Sequence, residues 1–154
     1  MGPRLVKSMC NFIIRGSRAI FSLFNSQLAQ TMISKSEIGG VILAGGKAQR
    51  MGFRDKALEP LHTRPLLEYV ITKSAPQVEQ LILSVNHNIQ RYQAFELPIV
   101  SDRTASYGGP LLGILSAMHW FQDAQTDKGI RYIACFPGDA PEFPEDVVSL
   151  LALE

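Results

Sequence analysis

The sequence predicts an α/β domain, Rossmann-like and three-layered, with a mainly parallel sheet. Two observations predict it. From residue 39 onward, short apolar runs alternate with stretches of helical periodicity. The chemically unusual residues then gather just beyond the apolar runs, where sheets of this kind bind ligands.

The elements follow in order. Val41 to Ala44 is a continuous apolar run ended by Gly45-Gly46, the pattern of a buried parallel strand. Pro65 stands at a first helical position, and Leu66, Leu67, Val70 and Ile71 recur at helical spacing up to Pro76. Leu81 to Val85 reads as the second strand, Pro98 to Ser101 as the third and Tyr132 to Phe136 as the fourth. Between the last two, Pro110 to Phe121 is a helix whose apolar face is Leu111, Leu112, Leu115, Met118 and Trp120. A final helix opens at Pro144, with Glu145 and Asp146 near its positive end.

The chain has 154 residues, 46% hydrophobic and 19% charged, which fits one globular domain. A domain of this size buries roughly two-thirds of its unfolded surface. It needs no disulfide or structural metal. Cys10 and Cys135 have no ligand spacing, and a reducing compartment, the cytoplasm, is the default setting.

The net charge of +1 combines two unlike pieces. Residues 1–36 carry Arg4, Lys7, Arg15, Arg18 and Lys35 with no acid, whereas residues 37–154 hold more acidic than basic side chains. An acidic body argues against nucleic-acid binding, which needs a basic face. The leader is too short of apolar residues for a transmembrane helix, since its longest uncharged run, Ala19 to Ser34, contains Asn25, Gln27 and Gln30. Arg15 and Arg18 also split any secretory core. Three readings remain: a transit peptide, a basic amphipathic surface helix, or an extension upstream of a start at Met32. The expected division is a basic extension over 1–36, disordered or a non-native start, and a catalytic domain over 37–154.

The segment LAGGKAQRMGFRDK, Leu43 to Lys56, carries the chemistry. A strand runs into paired glycines, and Lys47, Arg50, Arg54 and Lys56 follow within a few residues. Such a loop suits a polyanion, with backbone amides and cations meeting phosphate oxygens. It is not a P-loop, because Val41 stands where the first glycine belongs and Ala48 follows Lys47; G-x-G-x-x-G is also absent. Asp102 ends the third strand and Asp139 centres PGDAP after the fourth. Carboxylates facing a phosphate loop suit Mg²⁺, which takes one or two of them together with substrate phosphates.

GVILAGGKAQRMGFRDKALEPL (Gly40 to Leu61), GGPLLGILSAM (Gly108 to Met118) and PGDAP together resemble the molybdenum cofactor guanylyltransferases, the MobA proteins, within the MobA-like nucleotidyltransferases. The resemblance covers roughly residues 39–151. It implies transfer of GMP from GTP to the terminal phosphate of Mo-molybdopterin, with release of pyrophosphate. It further implies that Leu43, Ala44, Gly45 and Gly46 line GTP, that Lys56 and Asp102 contact it, and that Asp139 holds Mg²⁺. Arg50 and Lys56 would offset charge on the departing pyrophosphate. Relatives place an asparagine at the end of the second strand; Ser84 takes that place here, with Asn86 two residues on. Molybdoenzymes or their chaperones would receive the product. The family continues beyond this chain's last residues, so the resemblance implies a C-terminally incomplete domain whose missing part supplies further sheet and much of the molybdopterin pocket. The alternatives are a nucleotidyltransferase using CTP or another acceptor, and a GTP-binding fragment without turnover.

His62, His87 and His119 share no ligand spacing and read as surface or loop residues. Cys135, inside an apolar run, reads as a small core residue. Trp120 and Phe121 read as core or helix-end packing.

Overall fold

The computed structural model describes residues 33–45, 55–102, 109–123 and 129–152. Most of the basic leader and the candidates Gly46, Lys47, Arg50 and Arg54 lie outside the described residues. Ser34–Ala152 belong to one compact unit.

Among the described residues four parallel strands form the sheet, in the order β5-β4-β1-β6. β1 is Ile38–Leu43, β4 is Gln80–Ser84, β5 is Ile99–Val100 and β6 is Tyr132–Pro137. Val41 of β1 is level with Ile82 of β4 on one side and with Cys135 of β6 on the other. A separate antiparallel ribbon, β2 (Pro60–Leu61) with β3 (Arg64–Pro65), leads into helix α1, Leu66–Ser74. The other α-helices among the described residues are α2 (Ile89–Tyr92), α3 (Pro110–Asp123) and α4 (Val147–Leu151).

This order gives the fold its layers. α1 lies in the crossover from β1 to β4, which moves outward in one direction. α3 lies in the crossover from β5 to β6, which returns past β1 to its other side. Right-handed crossovers running in opposite directions put their helices on opposite faces, so the sheet is sandwiched as expected. On the α3 face, Val41, Ile82, Val100, Ala117 and Phe121 form a buried cluster. Leu67 and Val70 of α1 are fully buried without joining it.

Several boundaries differ from expectation. Pro65 caps α1 in an extended conformation, because it is paired with Pro60 in the ribbon, and the helix proper begins at Leu66. α4 begins at Val147, three residues beyond Pro144. β5 is only two residues long, and α2 is too short to leave a periodic signal.

The largest difference is the face of α3. Leu111 is 72% exposed, and Leu115 and Met118 are also exposed, whereas Gly113, Ser116, Ala117 and Phe121 are buried. Small residues face the sheet because the helix approaches it closely. A Cβ on Gly113 would stand 2.5 Å from Ser84 Oγ and 3.1 Å from Leu43 Cδ2. Gly113→Ala therefore brings overpacking of about 1–3 kcal/mol, against about 1 kcal/mol gained in helix propensity. In a Ser84→Ala background the clash is relieved and Gly113→Ala becomes neutral or stabilising. Denaturant titration of the four proteins in that double-mutant cycle checks the reversal.

Cys135 also departs from expectation, being exposed rather than a core residue. β6 has a described neighbour only on its β1 side, so its alternate side chains are less covered than those of β1 or β4. Partial burial still pushes the Cys135 thiol up, which lowers its thiolate fraction and its reactivity. Phe121 packs in the core, and the Trp120 ring meets it edge-on at 5.1 Å. His62 and His87 are exposed, and His62 occupies the turn between β2 and β3 with φ 56°.

Candidate nucleotide site at the strand exits

Because β1 leads outward to β4 while β6 returns to its opposite side, the strand order reverses between β1 and β6. A crevice at the carboxyl ends of such a pair is the usual ligand site of an open parallel sheet. Leu43, Ala44 and Gly45 leave β1 there, and Gly138 and Asp139 leave β6 there.

The two exits are tied together. Gly138 N–H donates to Leu43 O at 3.1 Å, and Ala44 N–H donates to Ser84 O at 2.9 Å. A Cβ on Gly138 would lie 3.0 Å from Leu43 O and 3.2 Å from Ala44 Cβ. Any larger residue would have to push these backbones apart by a few tenths of an ångström, so glycine in PGDAP has a packing reason independent of any ligand. Gly45 is similar, since a Cβ there would lie 3.0 Å from Asn86 Nδ2 and 3.1 Å from Asn86 N. The backbone approach that the sequence suggested for a ligand is made, at Gly45, to Asn86.

Asn86 in turn binds Asp102 reciprocally. Its Nδ2 donates to Asp102 Oδ2 at 2.8 Å, and its Oδ1 accepts the Asp102 N–H at 2.8 Å. The second carboxylate oxygen, Asp102 Oδ1, is buried and has no hydrogen-bond partner among the described residues. A buried acceptor without a donor is costly, and a bound cation, hydroxyl or base N–H would satisfy it. Ser84 lies elsewhere, 2% exposed beneath Gly113 of α3. Of the two candidates on this segment, Asn86 is the one brought to the crevice.

Lys56 opens a 3-10 turn, Lys56–Leu58, and its Nζ stands 4.0 Å from Asp139 Oδ2. Both side chains are about half exposed. An ion pair this open adds little to stability, so both charges are available to a ligand in the crevice.

Four residues that the motif reading did not assign hold this arrangement. Asp55 Oδ2 accepts from Asn88 Nδ2 at 2.9 Å and from Arg91 Nη1 at 3.2 Å. The Asp55 side chain is only 13% exposed. Asn88 adopts φ 52° to start α2. Tyr92, fully buried, reaches Ala44 O from its hydroxyl at 3.5 Å. Burial, and then the Asp55 carboxylate, push its phenol up to about 12, partly countered by Arg91. The available sequence signal was Asp55 itself, a lone acid in a basic loop.

Among the described residues no group of three or more His, Cys, Asp or Glu could hold a metal by itself. A lone carboxylate can still hold Mg²⁺, which keeps waters and takes one or two carboxylates with substrate phosphates. Asp139 offers one carboxylate at the exit of β6, beside the Lys56 ammonium. Among the described residues no helix is long and apolar enough to cross a membrane.

Comparison with known proteins bears on the family and the fold. The family described as the MobA-like NTP transferase domain matches residues 40–154. A molybdenum cofactor guanylyltransferase from Shewanella halifaxensis is 39% identical over 74% of this chain and 54% of its own length. One from Mesorhizobium japonicum is 36% identical over 77% of this chain and 55% of its own length. The chain thus spans about half the length of the curated relatives it matches. Among solved structures, a Mycobacterium sp. strain JC1 homologue of a Mycobacterium tuberculosis protein superimposes with TM-score 0.60 at 25% identity, covering 76% of this chain and 58% of that one. A CMP:2-keto-3-deoxy-manno-octonic acid synthetase complexed with CTP gives TM-score 0.56 at 21% identity, over 75% of this chain and 46% of that one, a likeness of fold.

Proposed function

The chain belongs to the MobA-like NTP transferase family, and we propose that it serves the transfer of GMP from GTP to Mo-molybdopterin. A terminal phosphate oxygen of the acceptor forms a bond to the α-phosphorus, the bond from that phosphorus to the bridging β-oxygen breaks, and pyrophosphate leaves. The observation that supports this most is the Lys56–Asp139 pair, 4.0 Å apart and half exposed at the crevice between β1 and β6.

The acceptor phosphate is already a nucleophile, so no Ser-His-Asp arrangement is required. Catalysis is then positioning and charge neutralisation. Leu43, Ala44, Gly45 and Gly46 line the nucleotide with backbone. Asn86 orients Asp102, whose Oδ1 accepts from the nucleoside. Lys56 and Arg50 neutralise the pyrophosphate oxygens as the bond to phosphorus lengthens. Asp139 holds a divalent cation, Mg²⁺ in this reading, which when bound draws charge from the phosphate oxygens.

The proposed catalytic unit is residues 37–154, with 1–36 as an extension. Its setting is the cytoplasm, and molybdoenzymes or their chaperones receive the product. The test is pyrophosphate release with Mg²⁺ and Mo-molybdopterin, supplying GTP, CTP or ATP in turn. Release with GTP alone is the expected result. Preference for CTP would assign the chain to a related nucleotidyltransferase, and GTP binding without release would make it a binding module.

A further inference from the structure

Asp139 rides on the loop between β6 and α4, and that loop is held from behind by two side chains outside the crevice. Lys73, in the last turn of α1, donates from Nζ to Pro141 O at 2.9 Å and to Phe143 O at 3.4 Å. Its ammonium also lies 5.7 Å from the centroid of the Phe143 ring. Phe143 rests on Phe136 of β6, ring centroids 5.4 Å apart. Gln77 donates from Nε2 to Lys73 O at 2.9 Å and to Pro144 O at 3.3 Å, and its Oε1 accepts the Val148 N–H at 3.0 Å. Asp146, the residue in position to cap α4, makes no side-chain cap, so Gln77 performs that role from far away in sequence.

The loop needs such help. Pro137, Pro141 and Pro144 bring no N–H, which leaves the segment few hydrogen bonds of its own. An ammonium has three donors on a flexible stem and can gather carbonyls that face one point. Lys73 takes two carbonyls within four residues of Asp139 and also meets the face of an aromatic ring anchored on β6. No step of the proposed transfer uses its charge.

We propose that Lys73 is a positioning residue for Asp139. By fixing the carbonyls of Pro141 and Phe143 it sets the direction from which the Asp139 carboxylate meets a divalent cation. The proposal rests on the reading that Asp139 holds that cation. Groups that orient a metal ligand without touching the metal typically change its affinity by about 10–100-fold when removed.

The experiment uses the full chain, with Mn²⁺ as probe and GTP binding followed by calorimetry. Lys73→Met should raise the Mn²⁺ concentration that half-saturates GTP binding by about tenfold, leave metal-free GTP affinity unchanged, and speed hydrogen exchange of the amides at 138–143. Lys73→Arg should restore most of the Mn²⁺ response, because it keeps the donors and the charge. If Lys73→Met fails to fold, Lys73→Gln gives the same comparison. A folded variant with parental Mn²⁺ half-saturation overturns the proposal and makes Lys73 a structural clamp only, with the cation site intact. If the parent and Asp139→Asn respond alike to Mn²⁺, the reading of Asp139 fails, and the role of Lys73 fails with it.

Discussion

Asp139→Asn is expected to lower pyrophosphate release from GTP by about a thousandfold, the upper range for removing one electrostatic contact from a reacting centre. The substitution keeps the shape and removes the charge. Asparagine still fits the loop, since Gly138, not Asp139, makes the close approach to β1. The side chain is about half exposed, and its described ion pair is the open one with Lys56 at 4.0 Å. Folding stability should therefore stay within about 0.5 kcal/mol of the parent. Lys56→Ala should show the same division between activity and stability. The double variant should lose less than the product of the two single losses, because groups acting as one unit are not additive. Steady-state assays with thermal melts on the three variants check all of this. A fully active Asp139→Asn would remove the carboxylate from the mechanism.

Ile82→Ala is expected to show the reverse profile, destabilising the chain by about 2–5 kcal/mol. Ile82 is fully buried in β4, the strand between β1 and β5, and belongs to the cluster with Val41, Val100, Ala117 and Phe121. Parallel strands on both sides and α3 over the face leave little freedom to collapse into the space vacated by the side chain. Urea titration should give a lower midpoint at unchanged slope. The folded fraction should bind GTP with parental affinity, since Ile82 is not at the strand exits. Loss of affinity in that fraction would mean that the crevice depends on the centre of the sheet.

The frame of the fold was legible because parallel strands covered on both faces read as uninterrupted apolar runs. β1 and β4 have that character, with Val41, Ile42, Ile82 and Leu83 all fully buried. Hydrophobicity points to the wrong face of α3, whose buried residues are Gly113, Ser116, Ala117 and Phe121. At Gly113 and Ala117 the requirement is closeness, which small residues meet and leucine does not. A helix with apolar residues all round gives no strong periodic signal to choose by. The sequence offers Lys56 in a basic loop after β1, Asp102 after β5 and Asp139 after β6, and the structure brings Lys56 and Asp139 to 4.0 Å. Asn88, Arg91, Tyr92, Lys73 and Gln77 were not legible, because each acts on a distant backbone or side chain. Asp55 reaches Arg91 across 36 residues, and Gln77 reaches Val148 across 71. Nothing in local composition encodes such pairings.

The strand order has a consequence for synthesis. Among the described residues β1 is the first sheet strand to leave the ribosome, and of the two strands that flank it β6 is the last to do so. Ile38 waits for Tyr132 before that side of β1 is paired. Parallel pairing at such separation carries a large loop-closure entropy and is intrinsically slow. One edge of an almost wholly buried, apolar strand is therefore open to other nascent chains while β4, β5 and α3 are being made. The crevice between the exits of β1 and β6 comes into being only when that edge closes. The proposed nucleotide site thus depends on the pairing of greatest sequence separation made by β1.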